Sequence, residues 1–247
     1  MLTDDSYIYP AWPAPETVRA VSTTRLHGHS SPPYDSFNLA AHVDDNPDDV
    51  ASNRQRLREQ LELPDEPGWL NQVHGKDVLQ LGDLITGATA DGSYSRTPGQ
   101  VCAVLTADCL PVLICNQDGT EVAAVHAGWR GLAAGIVGVA VERFTSPADQ
   151  LLVWLGPAIG PAKFEVGADV YQAFVNEMPE ATQAFHPNET VHWHADIYSL
   201  ARMQLERLGV SQVYGGEYCT FSDATHFYSY RRDGVTGRMA TLIWLEN

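Results

Sequence analysis

The 247-residue chain is 44% hydrophobic and 19% charged, with 31 acidic against 15 basic residues and a formal charge of −16 at neutral pH. No apolar run approaches the roughly 18 residues of a membrane-spanning helix, so a soluble globular protein with a sizeable core is expected, as one large domain or two small ones. The negative charge repels nucleic acid and anionic membrane, so neither is expected as a partner, and an anionic substrate has to meet locally concentrated arginines.

The N-terminus, MLTDDSYIYPAW, is acidic and aromatic rather than basic and apolar, which points to a cytoplasmic protein. Residues 18–24 predict a strand leading to Arg25. The loop-forming LHGHSSPPYDSFNL follows, where His27-Gly28-His29 reads as two surface histidines or a metal pair. Asn46 is placed to cap a helix with Pro47 at its first position and Asp48 and Asp49 in its first turn. Val50, Leu57 and Leu61 form its apolar face, and the run 53–59 its solvated one.

A strand is predicted at 69–73, ending at His74, then a turn and a second strand at 78–81. Residues 82–100 read as loop, carrying Asp91-Gly92. Apolar runs at 101–105, 110–115 and 121–125 predict buried strands that give way to Asp108 and Cys109 and to His126. Gly128-Trp129-Arg130-Gly131 opens a helical stretch to about residue 144, and a helix start beside Arg130 favours an anion. Strands at 151–155, 210–214, 227–230 and 239–245 and helices at 168–178 and 195–208, the second closed by Gly209, complete the chain. This irregular alternation, without repeat or linker, argues for one α+β or mixed α/β domain over residues 1–247.

The four cysteines (102, 109, 115 and 219) form no CxxC pair, and Cys102 and Cys115 read as buried small hydrophobes. His74, Cys109 and His126, two imidazoles and a thiolate at the ends of apolar runs, suit Zn²⁺ in an open site with water as fourth ligand. Their separations match no short zinc-finger pattern, so spacing alone leaves ordinary buried residues as the alternative.

The runs STTRLHGHSSPPYDSFNLAAHVDDNP, NQVHGKDV, TADCLPVLIC, AAVHAGWRGL, GPAIGPAKFEVG and FYSYRRDGVTGR resemble the YfiH family, laccase-domain proteins described both as polyphenol oxidases and as purine nucleoside phosphorylases. The resemblance covers nearly the whole chain. It implies two β-sheets packed between helices, akin to Cys-His toxin deamidases and cysteine hydrolases, and a zinc held by His74, Cys109 and His126. It also implies phosphorolysis of adenosine, inosine and methylthioadenosine, with adenosine deamination beside it. Phenol oxidation with Cu²⁺ and editing of peptidoglycan precursors are likewise attached to members. The chain departs from many members at Lys163-Phe164, where cysteine and tyrosine are common, and at Tyr230, where histidine is common; neither is a metal position.

Phosphorolysis needs an oxyanion site, for which Arg25, Arg130, Arg231 and Arg232 are candidates because guanidinium binds oxyanions bidentately; surface salt bridging is their alternative. Asn38, in the first motif, is placed with them as a substrate contact. Asp108 stands either as a catalytic proton carrier or as a group orienting a ligand, and the HxE…PCxxC deaminase signature is absent. Copper oxidation is disfavoured: nine histidines, with HxH pairs only at 27/29 and 192/194, are few for several coppers, and the second pair is expected on an exposed strand edge. Two further readings stay open, a metal-free cysteine hydrolase with Cys109 as nucleophile and His126 or His74 as base, and a binding module clipped by structural zinc.

Overall fold

The structure, a computed structural model, describes residues 5–82, 87–188 and 192–246. In chain order the elements are β1 (Tyr7–Ile8), β2 (Val18–Thr23), α1 (Pro47–Gln60), β3 (Val78–Gln80), β4 (Gly92–Ser95), β5 (Val101–Thr106), β6 (Leu110–Asn116) and β7 (Val122–Ala127). There follow α2 (Trp129–Ala133), α3 (Ile136–Val141), β8 (Leu151–Leu155), β9 (Glu165–Val166), α4 (Ala168–Val175), β10 (Phe185–Pro187) and β11 (Trp193–Ala195). The last four are α5 (Ile197–Arg207), β12 (Gln212–Gly215), α6 (Tyr230–Asp233) and β13 (Met239–Leu245).

A four-stranded sheet, β1-β2-β13-β5, packs on a six-stranded sheet, β12-β8-β6-β7-β4-β3, and a small sheet, β10-β11-β9, lies beside them. Every residue of β5, β6 and β7 is buried, because both faces of these strands are covered. The two-residue alternation still operates inside β5. Cys102 and Val104 point into the layer between the sheets, meeting Leu113, Ala124 and Trp154 of the larger one. Ala103 and Leu105 point outward against Phe37, Leu57 of α1 and Trp69. The far face of the six-stranded sheet is closed by Leu132, Ile136 and Leu205 from the helices. All four cysteines are free, and burial pushes the Cys102 and Cys115 thiols up to about 12, as fits hydrophobic fillers.

The site follows from the place where the chain changes sheet. β5 belongs to the smaller sheet and β6 to the larger, so the turn at 107–109 crosses between them and carries Asp108, at φ 88°, and Cys109 to the junction.

Several expectations need correction. No strand forms at 69–73; only isolated bridges do, and Gln72 docks there with its side-chain amide, bonding both the N–H and the carbonyl of Leu105 (2.7 and 2.8 Å) in place of a strand neighbour. The supposed loop at 82–100, of which 83–86 lie outside the described residues, contains β4, buried throughout although Gly-Ser-Tyr-Ser has weak strand character. The helix after His126 breaks at Gly135, φ 86°, into α2 and α3; α2 has five residues, too short for a strong helix dipole. Residues 227–230 are not a strand; Ser229 caps α6, its Oγ accepting from the Arg232 amide. In α1, capped by Asn46 as expected, Asn53 is fully buried rather than solvated, and its amide holds Ser30, Ser36 and Asn38 of the preceding loop. Trp193 and His194 lie in β11, the central strand of its sheet rather than an edge, and His192 just precedes it with Nδ1 bonded to Glu165 at 2.7 Å.

Candidate metal centre

The donor atoms of His74, Cys109 and His126 lie within 4.8 Å of one another, and among the described residues this is the one cluster of three or more His, Cys, Asp or Glu residues fit for a metal. Cys109 Sγ stands 3.8 Å from His74 Nε2. A tetrahedral zinc at ordinary ligand distances would place such a sulfur and nitrogen about 3.6 Å apart, so the pair needs little adjustment. His126 comes from buried β7, opposite Pro111 in the ladder, whereas His74 sits in an exposed loop at φ 60°.

One buried carboxylate joins these two supports. Asp91, just before β4, accepts from His126 Nδ1 at 2.8 Å and from the main-chain amides of Val73, His74 and Gly75 at 3.2, 2.9 and 2.6 Å. With Nδ1 so engaged, His126 turns Nε2 toward Cys109 and His74, the tautomer a metal requires. Burial favours protonation of Asp91, but these bonds and the charge of His126 outweigh it and hold its pKa below the usual carboxylate value. Burial likewise opposes ionisation of Cys109, yet the charge of His126 and the hydrogen bonds from His126 and His74 prevail and bring the thiol down to about 6. For His126 burial disfavours the charged form, and the thiolate and Asp91 more than compensate, raising it to about 9. Without a metal these shifts favour a thiolate beside a protonated imidazole; a soft divalent cation that displaces the Nε2 proton would meet one thiolate and two imidazole nitrogens.

Two glycines of the HAGWRG segment exist for space. At Gly128, with an ordinary φ of −63°, a Cβ would lie 2.9 Å from His74 Cδ2 and 3.1 Å from Cys109 Sγ, so any side chain would enter the cradle between the ligands. At Gly131 it would lie 2.6 Å from the Gly75 carbonyl, which shows how closely α2 packs on the loop carrying His74.

His74 and Cys109 open onto a cavity of about 240 Å³ walled by Trp129, Ile159, Phe164 and Ile197, with Asp108, Arg130, Tyr230 and Arg231 completing it. It is somewhat smaller than most ligand sites, which are typically about 300–1,000 Å³. The Arg130 guanidinium stacks on Trp129 at 4.3 Å and has no ion pair or hydrogen bond among the described residues; the Arg231 guanidinium faces Phe164 and, among the described residues, donates to the Glu165 carbonyl alone. The other predicted contacts lie elsewhere. Arg25 pairs with Asp35 at 3.2 Å and stacks on Tyr228. Arg232 is spent on Asp233 and the carbonyls of Thr220, Phe221 and Phe227. Asn38 is fully buried, binding Asp45, Ala40 and the Arg238 amide. Asp108 lines the cavity, but both carboxylate oxygens are engaged at 2.7 Å, one by the Thr220 hydroxyl and one by the Arg231 amide, so it ties the Cys109 turn to α6.

Sequence reasoning passed over Asp91, a lone acid in an apparent loop, and the cavity walls Trp129 and Phe164, whose aromatic character was the available signal.

Fold and site together define an α+β protein with two main sheets, a third small one, and a His-Cys-His cluster where the main sheets join. Residues 19–246 match the model of the family described as multi-copper polyphenol oxidoreductase laccase. The chain belongs to that family, the laccase-domain or YfiH proteins. It is 56% identical to purine nucleoside phosphorylase YfiH of Shigella flexneri, over 96% of this chain and 98% of that one. It is 53% identical to a purine nucleoside phosphorylase of Pseudomonas aeruginosa, over 98% of this chain and all of that one. Among solved structures, a Neisseria meningitidis protein superposes with a TM-score of 0.93 at 46% identity, covering 98% of this chain and 100% of that chain. YlmD of Geobacillus stearothermophilus gives 0.93 at 31%, covering 98% and 97%. Among the described residues no helix is long and apolar enough to cross a membrane.

Proposed function

We propose that this chain is a zinc-dependent purine nucleoside enzyme that phosphorolyses adenosine, inosine and methylthioadenosine and also deaminates adenosine. The observation that carries the reading is the opening of the His74-Cys109-His126 donor group into an aromatic cavity flanked by Arg130 and Arg231, neither paired with a carboxylate among the described residues, in a chain of charge −16. The names of the close relatives point the same way. Trp129 and Phe164 offer faces for a purine, and Arg130 and Arg231 offer guanidinium forks for phosphate. In phosphorolysis a phosphate oxygen bonds to the ribose C1′ while the C1′–N bond breaks and its electron pair leaves with the base. In deamination, water adds to the purine C6 and ammonia departs. Zinc bound by the three residues would supply Lewis acidity at the cavity. Asp91 holds the ligands in register, and Asp108 orients the Cys109 turn.

A second reading rests on one specific feature: Cys109, His126 and Asp91 form a nucleophile–base–orienter chain of the cysteine-hydrolase kind. His74, brought to 3.8 Å from the same sulfur, favours the metal. The deciding experiment is elemental analysis of native protein joined to product identification from adenosine with and without phosphate. The proposal expects about one zinc per chain, adenine and ribose 1-phosphate when phosphate is present, and inosine from deamination. Two or more coppers with phenol oxidation, or full activity after complete metal removal, would overturn it.

A further inference from the structure

The last residue of the FYSYRRDGVTGR run, Arg238, is a cation that none of the reasoning above has used. Arg238 immediately precedes β13, whose first residue, Met239, pairs with Thr106 at the end of β5. Its main chain therefore stands opposite the Ala107-Asp108-Cys109 turn. It is held there from both sides: its amide donates to Asn38 Oδ1 at 2.9 Å, and its carbonyl accepts from the Leu39 amide at 3.3 Å. Gly237 is required beside it for space, since a Cβ would lie 2.7 Å from the Tyr228 ring and 2.9 Å from Asn38 Cβ.

The side chain is fixed along one edge only. Nη1 donates to the carbonyls of Thr236 and Gly237 at 2.8 and 2.9 Å, and the guanidinium lies 5.8 Å from the ring of Tyr230, a cavity residue. Nε and Nη2 have no acceptor and no carboxylate pairs with this arginine among the described residues, in contrast to Arg25 with Asp35 and Arg232 with Asp233. The side chain is partly withdrawn from water, and burial lowers its pKa, an effect the charges of Cys109 and Asp108 only partly offset. Neither is a free counter-ion: Cys109 belongs to the metal centre, and both oxygens of Asp108 are taken. A partly buried guanidinium with an unused fork lacks an oxyanion.

We infer that Arg238 is an additional phosphate-holding residue, at the rim of the cavity beyond Tyr230, and that Asn38 acts through it as a positioning residue. This rests on the phosphorolytic reading above and adds a third cation to Arg130 and Arg231. Asn38, fully buried, holds the main chain of that arginine through its side-chain carbonyl.

The test uses the full-length, zinc-loaded protein with inorganic phosphate. Phosphate and nucleoside saturation curves are measured for wild type, Arg238→Gln and Arg238→Lys, with phosphate binding read separately from ³¹P line broadening without nucleoside. Arg238→Gln should raise the phosphate KM and weaken phosphate binding at least about tenfold, with nucleoside KM and zinc content within about twofold of wild type. Arg238→Lys, which keeps the charge but loses the fork, should show a smaller shift in the same direction. If Gln at this position fails to fold, the Lys variant decides. Phosphate KM and binding within twofold of wild type in the folded variants would overturn the inference. A wild-type protein that neither binds phosphate nor needs it for glycosidic cleavage would instead overturn the parent reading, so the two failures are distinguishable.

Discussion

The Asp91 carboxylate and the His126 imidazole meet at 2.8 Å inside the protein, with the acid fully buried and the histidine 3% exposed. The same carboxylate gathers the amides of residues 73–75, so one side chain orders two of the three donors. Asp91→Asn keeps the size but replaces an acceptor oxygen with a donor NH₂, which cannot satisfy four N–H groups. Zinc affinity should fall about 10–100-fold, measured by competition with a chromophoric chelator. Affinity within twofold of wild type would mean the ligands hold their geometry without it.

Gly128→Ala separates space from backbone conformation. Its φ of −63° suits alanine, so chain folding should not suffer, and the only cost is the methyl group directed at His74 and Cys109. Zinc affinity should drop by about tenfold or more, with Tm within a few degrees of wild type. A large fall in Tm with metal affinity intact would place the role of this glycine in the fold instead.

The parts of this molecule that could be read from its sequence are those where one local signal suffices. The runs at 101–105, 110–115 and 151–155 are β-branched and apolar because both sheet faces are covered, and Asn46-Pro47-Asp48 announces α1. β4 was hidden because Gly-Ser-Tyr-Ser has weak strand propensity; Gly92 is there since a Cβ would lie 3.2 Å from the Ala124 carbonyl. The three candidate metal ligands gain their weight from motif resemblance, as separations of 35 and 17 residues carry no local pattern. The contacts of Asp91 and Arg238 form only when distant segments close on them, so neither a lone acid in an apparent loop nor the last residue of a motif run discloses its partners.

Away from the metal, Glu121 is a stability switch with a defined pH window. Its side chain, 3% exposed, accepts from the amides and hydroxyls of Thr145 and Ser146 and from Tyr94. Burial raises its pKa, but these bonds dominate and bring it from 4.5 to about 2. A carboxyl depressed in the folded state contributes stability that is complete above about pH 4.5 and lost as pH falls toward 2; the shift corresponds to roughly 3 kcal/mol. Glu121→Gln should therefore be less stable than wild type at pH 7 by a few kcal/mol, and the difference should shrink below about pH 4.5 and close as pH falls through about 2, as followed by urea unfolding. A stability difference independent of pH would assign the effect to packing.

Cys109 distinguishes metal ligand from nucleophile. With its pKa brought down to about 6 by the imidazoles of His126 and His74, the metal-free thiol is mostly thiolate at neutral pH. Iodoacetamide should accordingly label Cys109 rapidly in chelator-treated protein, with a rate that falls as pH drops through about 6, while the zinc-loaded protein should resist labelling because the sulfur is coordinated. Buried Cys102 and Cys115, whose thiols stand near 12, should stay unlabelled in both states. Peptide mapping must follow the half-exposed Cys219 separately, since hydrogen bonds there also lower the thiol pKa against the effect of burial. Cys109→Ser should lose zinc and nucleoside cleavage together, because a neutral hydroxyl replaces a thiolate ligand. Equal labelling of Cys109 with and without zinc, together with full activity of the metal-free protein, would remove the sulfur from the metal centre and make it the nucleophile of a cysteine hydrolase.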